Sequence, residues 1–180
     1  MIDEIRTATL AAPPRLGGVR LVAVDGPSGA GKSTLAARIA AVVPDSVLIS
    51  TDDFATWDDP VAWWPRLDSG VLRPLAEGRP GRYQRTEWPG GVPRLGAWIT
   101  VDVPSVLVLE GVSAGRRAVQ DRLSCLFWVD FADAPQRLER SVRRDGEPSR
   151  PYFRRWQEFE AGWFAVDDTA ARASQKINTG

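Results

Sequence analysis

One stretch of the chain, Gly26-Pro27-Ser28-Gly29-Ala30-Gly31-Lys32-Ser33-Thr34, fits the pattern G-x-x-x-x-G-K-[ST]. Glycines at this spacing let the backbone curl until successive N–H groups point inward, a cradle for phosphate oxygens that needs no side-chain fit. A helix that begins where the loop ends adds the positive end of its dipole. Lys32 can then reach terminal phosphates and offset charge on a transferring group, and the Ser33 hydroxyl can ligate magnesium. Gly26, Ser28, Gly29, Ala30, Gly31, Lys32, Ser33 and Thr34 are therefore the candidate nucleotide contacts.

Three acids and a set of arginines extend this chemistry. An apolar run leads into Ser50-Thr51-Asp52-Asp53-Phe54, which puts two carboxylates where open parallel sheets bind ligands. Asp52 is the candidate base for a hydroxyl proton; Asp53 can assist magnesium, touch the substrate or cap the next segment. A second run, Val106 to Leu109, ends in Glu110-Gly111, and an acid in that position can hold magnesium directly or through water. Ser33 and Glu110 form the candidate metal pair. Helical spacing sets Arg137, Arg140 and Arg144 on one face, able to clamp phosphate oxygens, and Arg140 and Arg144 are the lid candidates. The sequence has no histidine, so carboxylates must do any proton chemistry.

These residues need a sheet to hold them. Val19 to Asp25 reads as a buried strand before the glycine loop, and Lys32 to Val43 as the helix after it, with Leu35, Ile39 and Val42 on one side. Ser46 to Ser50, Val106 to Leu109 and Cys125 to Val129 read as further short strands. Residues 2 to 12 form a leading helix that stops at Pro13-Pro14, and Asp133 to Arg144 and Tyr152 to Val166 form later ones. Strands alternating with helices predict one three-layer α/β domain with a mainly parallel central sheet. Residues 57 to 100, rich in Pro and Gly, read as an irregular substrate-side insertion with short helices and a hairpin; residues 137 to 152 read as a lid. Ala170 to Gly180 can add a last strand.

Composition narrows the class. Lys plus Arg and Asp plus Glu balance at 23 each, so no global field recruits nucleic acid or an anionic membrane. No signal or membrane-spanning run is visible, and the single Cys125, in an apolar stretch, reads as a buried thiol of a cytoplasmic protein. Five of the eight tryptophans, Trp57, Trp63, Trp64, Trp88 and Trp98, fall in or beside the insertion. At least three of Trp57, Trp63, Trp64 and Trp88 are expected to form its core, while any of them could stack on a flat substrate.

Taken in order, GPSGAGKST, STDDF, Trp57-Asp58-Asp59-Pro60, Arg82-Tyr83, Leu109-Glu110-Gly111 and RRDG at 143 to 146 resemble the uridine kinase-like branch of P-loop kinases. That branch includes phosphoribulokinase and bacterial pantothenate kinase, and the resemblance covers residues 19 to about 150. It implies ATP and Mg2+ as co-substrate and cofactor, with transfer to a hydroxyl of a nucleoside or similar small acceptor. It carries the role of base onto Asp52, sugar contact onto Asp58, base contact onto Tyr83 and lid arginines onto Arg140 and Arg144. Trp88 stands near the family's pyrimidine-reading histidine and joins the candidate substrate contacts. Swapped residues around Trp57 to Trp98 leave a non-nucleoside acceptor as the alternative, and a nucleotide-dependent regulatory module as a third reading.

Overall fold

The computed structural model describes all 180 residues. The chain opens with α1 (Ile2–Ala11), which ends as expected before Pro13, because a residue preceding proline is pushed out of the helical region. Then follow β1 (Arg20–Asp25), α2 (Lys32–Val42) and β2 (Ser46–Ser50). The insertion holds a short helical run, α3 (Trp64–Leu67) and α4 (Arg73–Ala76) joined by a π turn at Asp68–Leu72, then the antiparallel hairpin of β3 (Gly81–Glu87) and β4 (Arg94–Val101). β5 (Val106–Glu110), β6 (Leu123–Asp130), α5 (Ala134–Asp145), α6 (Arg150–Asp167), α7 (Thr169–Arg172) and β7 (Gln175–Asn178) complete it.

The central sheet has the order β2-β5-β1-β6-β7, and every pairing in it is parallel. Parallel strands need crossovers that cover both faces, which is why β1 and β5 read as unbroken apolar runs. The two-residue period of a strand sorts them. Leu21, Ala23, Leu107 and Leu109 face a core shared with the insertion, through Phe54, Trp63 and Leu67; Val22, Val24, Val106 and Val108 face α1 and α2, through Ile5, Leu35 and Ile39. Cys125 belongs to the second core, where burial pushes its thiol pKa up.

Trp63 lies fully inside the first core with Trp64 packed against it, and the buried Arg116 guanidinium lies 5.2 and 4.3 Å from their ring centres. Trp57 and Trp88 behave differently, since both line the large cavity described below, although Trp57 also packs on a small satellite core. The expectation that at least three of the four are core residues only is corrected to two. β7 pairs in parallel with β6 at the sheet edge, and the Thr179 hydroxyl beyond it donates to the Ala30 carbonyl at 2.6 Å.

Candidate active site

The C-terminal ends of β1, β2 and β5 meet at one place because these strands are neighbours in register: Ser50 pairs with Glu110, and Glu110 with Val24. The glycine loop, residues 26 to 34, leaves β1 there. Gly29 and Gly31 have φ of 76° and 95°, left-handed values that glycine adopts without strain. At Gly29 a Cβ would also collide with the Arg137 carbonyl, so α5 rests directly on the loop. Asp25 anchors the base of the turn. Fully buried, it accepts from the N–H groups of Gly26 (2.7 Å), Ser113 (3.1 Å) and Gly115 (2.8 Å); desolvation nevertheless raises its pKa to about 6.

Above that base lies a cavity of about 770 Å³. Ser28, Gly29, Gly31, Lys32, Ser33 and Thr34 line one end of it, whereas Gly26 and Ala30 support the loop from behind. Lys32 is largely buried and its Nζ donates to the Pro27 carbonyl at 2.9 Å, which places the cation within the loop. Glu110 borders the same space. It accepts from the Ser33 hydroxyl at 3.3 Å and from the Ser50 hydroxyl at 2.7 Å. Burial raises its pKa and Lys32 opposes that rise. The glycine after it is required: at Gly111, with φ of 131°, a Cβ would strike the Thr51 hydroxyl.

Asp52 sits across the cavity, in a 3-10 turn at Thr51–Asp53, with its carboxylate exposed. Only its backbone is engaged: its N–H donates to the Ser50 hydroxyl (3.3 Å) and its carbonyl accepts from the Trp88 indole (3.2 Å). Arg140 and Arg144 line the cavity from α5. Arg140 lies 4.0 Å from the Phe131 ring centre and donates to the Gly29 carbonyl at 3.5 Å, and Arg144 pairs with Asp145. Arg137 points elsewhere and donates to the Phe131 carbonyl. The remaining wall is aromatic. Trp57 stands at its centre, 5.0 Å from Trp88 and 4.9, 5.6 and 6.1 Å from Tyr152, Phe153 and Trp156.

Three of the expected substrate contacts lie outside this wall. Tyr83 is buried in the first core, stacked on Phe54, and its hydroxyl donates to Asp53 at 2.6 Å. Burial and the adjacent carboxylate drive the Tyr83 pKa upward. Asp53, whose own pKa burial raises, faces Tyr83 and Arg85, so its geometry is that of a structural pair. Asp58 is exposed and does not border the cavity. Tyr83→Phe should therefore leave the acceptor KM unchanged while lowering stability by about 1–3 kcal/mol, because Asp53 loses its closest donor. Urea unfolding and steady-state kinetics on one preparation separate the two effects, and a raised KM at unchanged stability would show that Tyr83 reaches the acceptor.

One residue of the site escaped the sequence reading. Glu160, in the middle of α6, accepts from the Ser28 N–H at 3.0 Å and from the Ser28 hydroxyl at 2.6 Å, across 132 residues of chain. It shares a helix face with Phe153 and Trp156, and an acid on an otherwise aromatic face was the available signal.

No protein-family model matches this chain, and no curated protein matches it. Solved structures do. A possible uridine kinase from Bacillus stearothermophilus aligns with a TM-score of 0.71 at 15% identity, over 98% of this chain and 96% of that one. A candidate fructose transport system kinase from Silicibacter sp. TM1040 aligns at 0.58 and 18% identity, over 98% of both chains. D-glycerate 3-kinase from Cryptococcus neoformans var. grubii aligns at 0.55 and 12% identity, over 80% and 77%. At these identities the likeness is one of fold, and the chain shares the three-layer α/β fold of these kinase structures.

Proposed function

We propose that this chain is an ATP- and magnesium-dependent kinase that transfers the γ-phosphoryl group to a hydroxyl of a small acceptor, a nucleoside or similar metabolite. The observation that carries this reading is the convergence of Lys32, Ser33, Glu110 and Asp52 on a single cavity. The Ser33 hydroxyl and the Glu110 carboxylate are hard oxygen donors within hydrogen-bonding distance of each other, which suits magnesium. Held by these two residues, magnesium would supply positive charge against the phosphate oxygens. Lys32 offsets charge on the transferred group from inside the loop, with Arg140 and Arg144 doing so from α5. Asp52, whose carboxylate has no protein partner, takes the acceptor's proton.

A second reading, an acceptor outside the nucleosides, is favoured by the position of the expected sugar and base contacts, which lie away from the cavity wall. Trp57, Trp88, Phe153 and Trp156 border the cavity, while Asp58 and Tyr83 do not. Such a wall suits a flat or apolar face beside the reacting hydroxyl. The deciding experiment is ADP release from ATP and magnesium across nucleosides, free sugars, glycerate and pantothenate-like alcohols. One acceptor that raises turnover well above background supports a kinase and names its class; ATP binding with no acceptor response supports a regulatory module instead.

A further inference from the structure

We propose that Glu160 is a positioning residue that shapes the phosphate loop through Ser28 and links its state to the aromatic wall carried on the same face of α6. The proposal rests on the loop binding a nucleotide and is independent of the acceptor's identity. Glu160 is only 2% exposed, and a carboxylate so placed is costly unless it is fully paired. Its pairing is directed at the loop: both oxygens lie near the Ser28 N–H, at 3.1 and 3.0 Å, and one accepts a hydrogen bond from the Ser28 hydroxyl at 2.6 Å. Lys32 from α2 and Arg137 from α5 are the charges that face it.

The consequence for the loop is geometric. Ser28 borders the cavity, yet its N–H is turned toward α6, which leaves the N–H groups that follow it to serve the phosphates. The consequence for the wall follows from helix spacing. Phe153, Trp156 and Glu160 lie three and four residues apart, so they form one ridge on a rigid element, with aromatics bordering the acceptor end and the acid gripping the phosphate end. A change at Ser28 on nucleotide binding is felt at Trp156.

MgADP serves as the probe, with affinity read by calorimetry and the wall read by tryptophan emission. Wild type should show an emission change on MgADP binding, and Trp156→Phe should lose most of that change while retaining affinity. Glu160→Gln and Ser28→Ala should each weaken MgADP binding, Glu160→Ala by on the order of tenfold to a hundredfold. The double variant Ser28→Ala/Glu160→Gln should lose less affinity than the two single losses summed, because both changes act on the bond between the Ser28 hydroxyl and Glu160. Additive losses, or unchanged affinity in Glu160→Gln, overturn the positioning role even if Glu160→Ala fails to fold. An emission change that survives in Glu160→Gln overturns the link to the wall. Failure of wild type to bind MgADP would instead sink the nucleotide reading itself.

Discussion

Asp52→Asn is expected to lower kcat by about a hundredfold to ten-thousandfold, the usual contribution of a positioned general base, while leaving MgADP affinity largely unchanged. The substitution is unusually clean here. Both hydrogen bonds that hold this residue run through its backbone, to the Ser50 hydroxyl and from the Trp88 indole, so the side chain is free of structural duty. An amide of the same size keeps the shape of the cavity and removes the ability to take a proton, together with the charge that Glu110 and Arg144 feel. Acceptor-dependent ADP release at saturating substrate, set beside MgADP binding, reads the two quantities separately. Wild-type kcat in the Asn variant would remove Asp52 from the reaction.

Lys32→Met should produce a comparable loss, on the order of a hundredfold to a thousandfold in kcat, because it removes a fixed cation from the place where charge develops. It should also change the pH dependence of stability. Asp25, Glu110 and Glu160 all have pKa values raised by burial, and in each case the charge of Lys32 works against the rise. A raised folded-state pKa means stability that is fully present while the acid is protonated and lost as pH rises through that pKa. Without Lys32 the charged acids are buried with less compensation, so the deficit relative to wild type should be small in acid and grow as pH passes about 6, where Asp25 titrates. Thermal unfolding of both proteins on either side of that pH checks the sign. A pH-independent deficit would mean that Lys32 stabilises the loop through its bond to Pro27 alone.

The phosphate end was legible because its signal is local. Strand, glycine loop and helix are contiguous from Arg20 to Val42, and each residue type answers a backbone requirement of its neighbours. Asp52 and Glu110 were found for a similar reason, as polar residues closing apolar runs that proved to be adjacent strands. The acceptor end was not local. Tyr83 and Asp53 are on separate elements, and nothing in either segment shows that they would satisfy each other across 30 residues in a half-buried pair. Trp57 could not be placed in advance because it both packs against α6 and borders the cavity, and its partners Phe153 and Trp156 come almost a hundred residues later. Glu160 was hidden more deeply, since its meaning depends on α6 crossing the loop at Ser28.

The sheet order has a further consequence. β2 and β5 are immediate parallel neighbours, so everything from Thr51 to Ser105 is one crossover that leaves the C-terminal end of β2 and enters β5 at its N-terminal end. Within that crossover lie Asp52, two of the three wall tryptophans, Trp57 and Trp88, and the hairpin, while the phosphate loop, Glu110, Phe153 and Trp156 lie outside it. Under the proposed function, Asp52 and half of the acceptor wall are thus carried on a different stretch of chain from the phosphate loop. The crossover is a natural cassette: exchanged for another that rejoins β5 in the same register, it would redirect the choice of alcohol and leave the donor machinery standing.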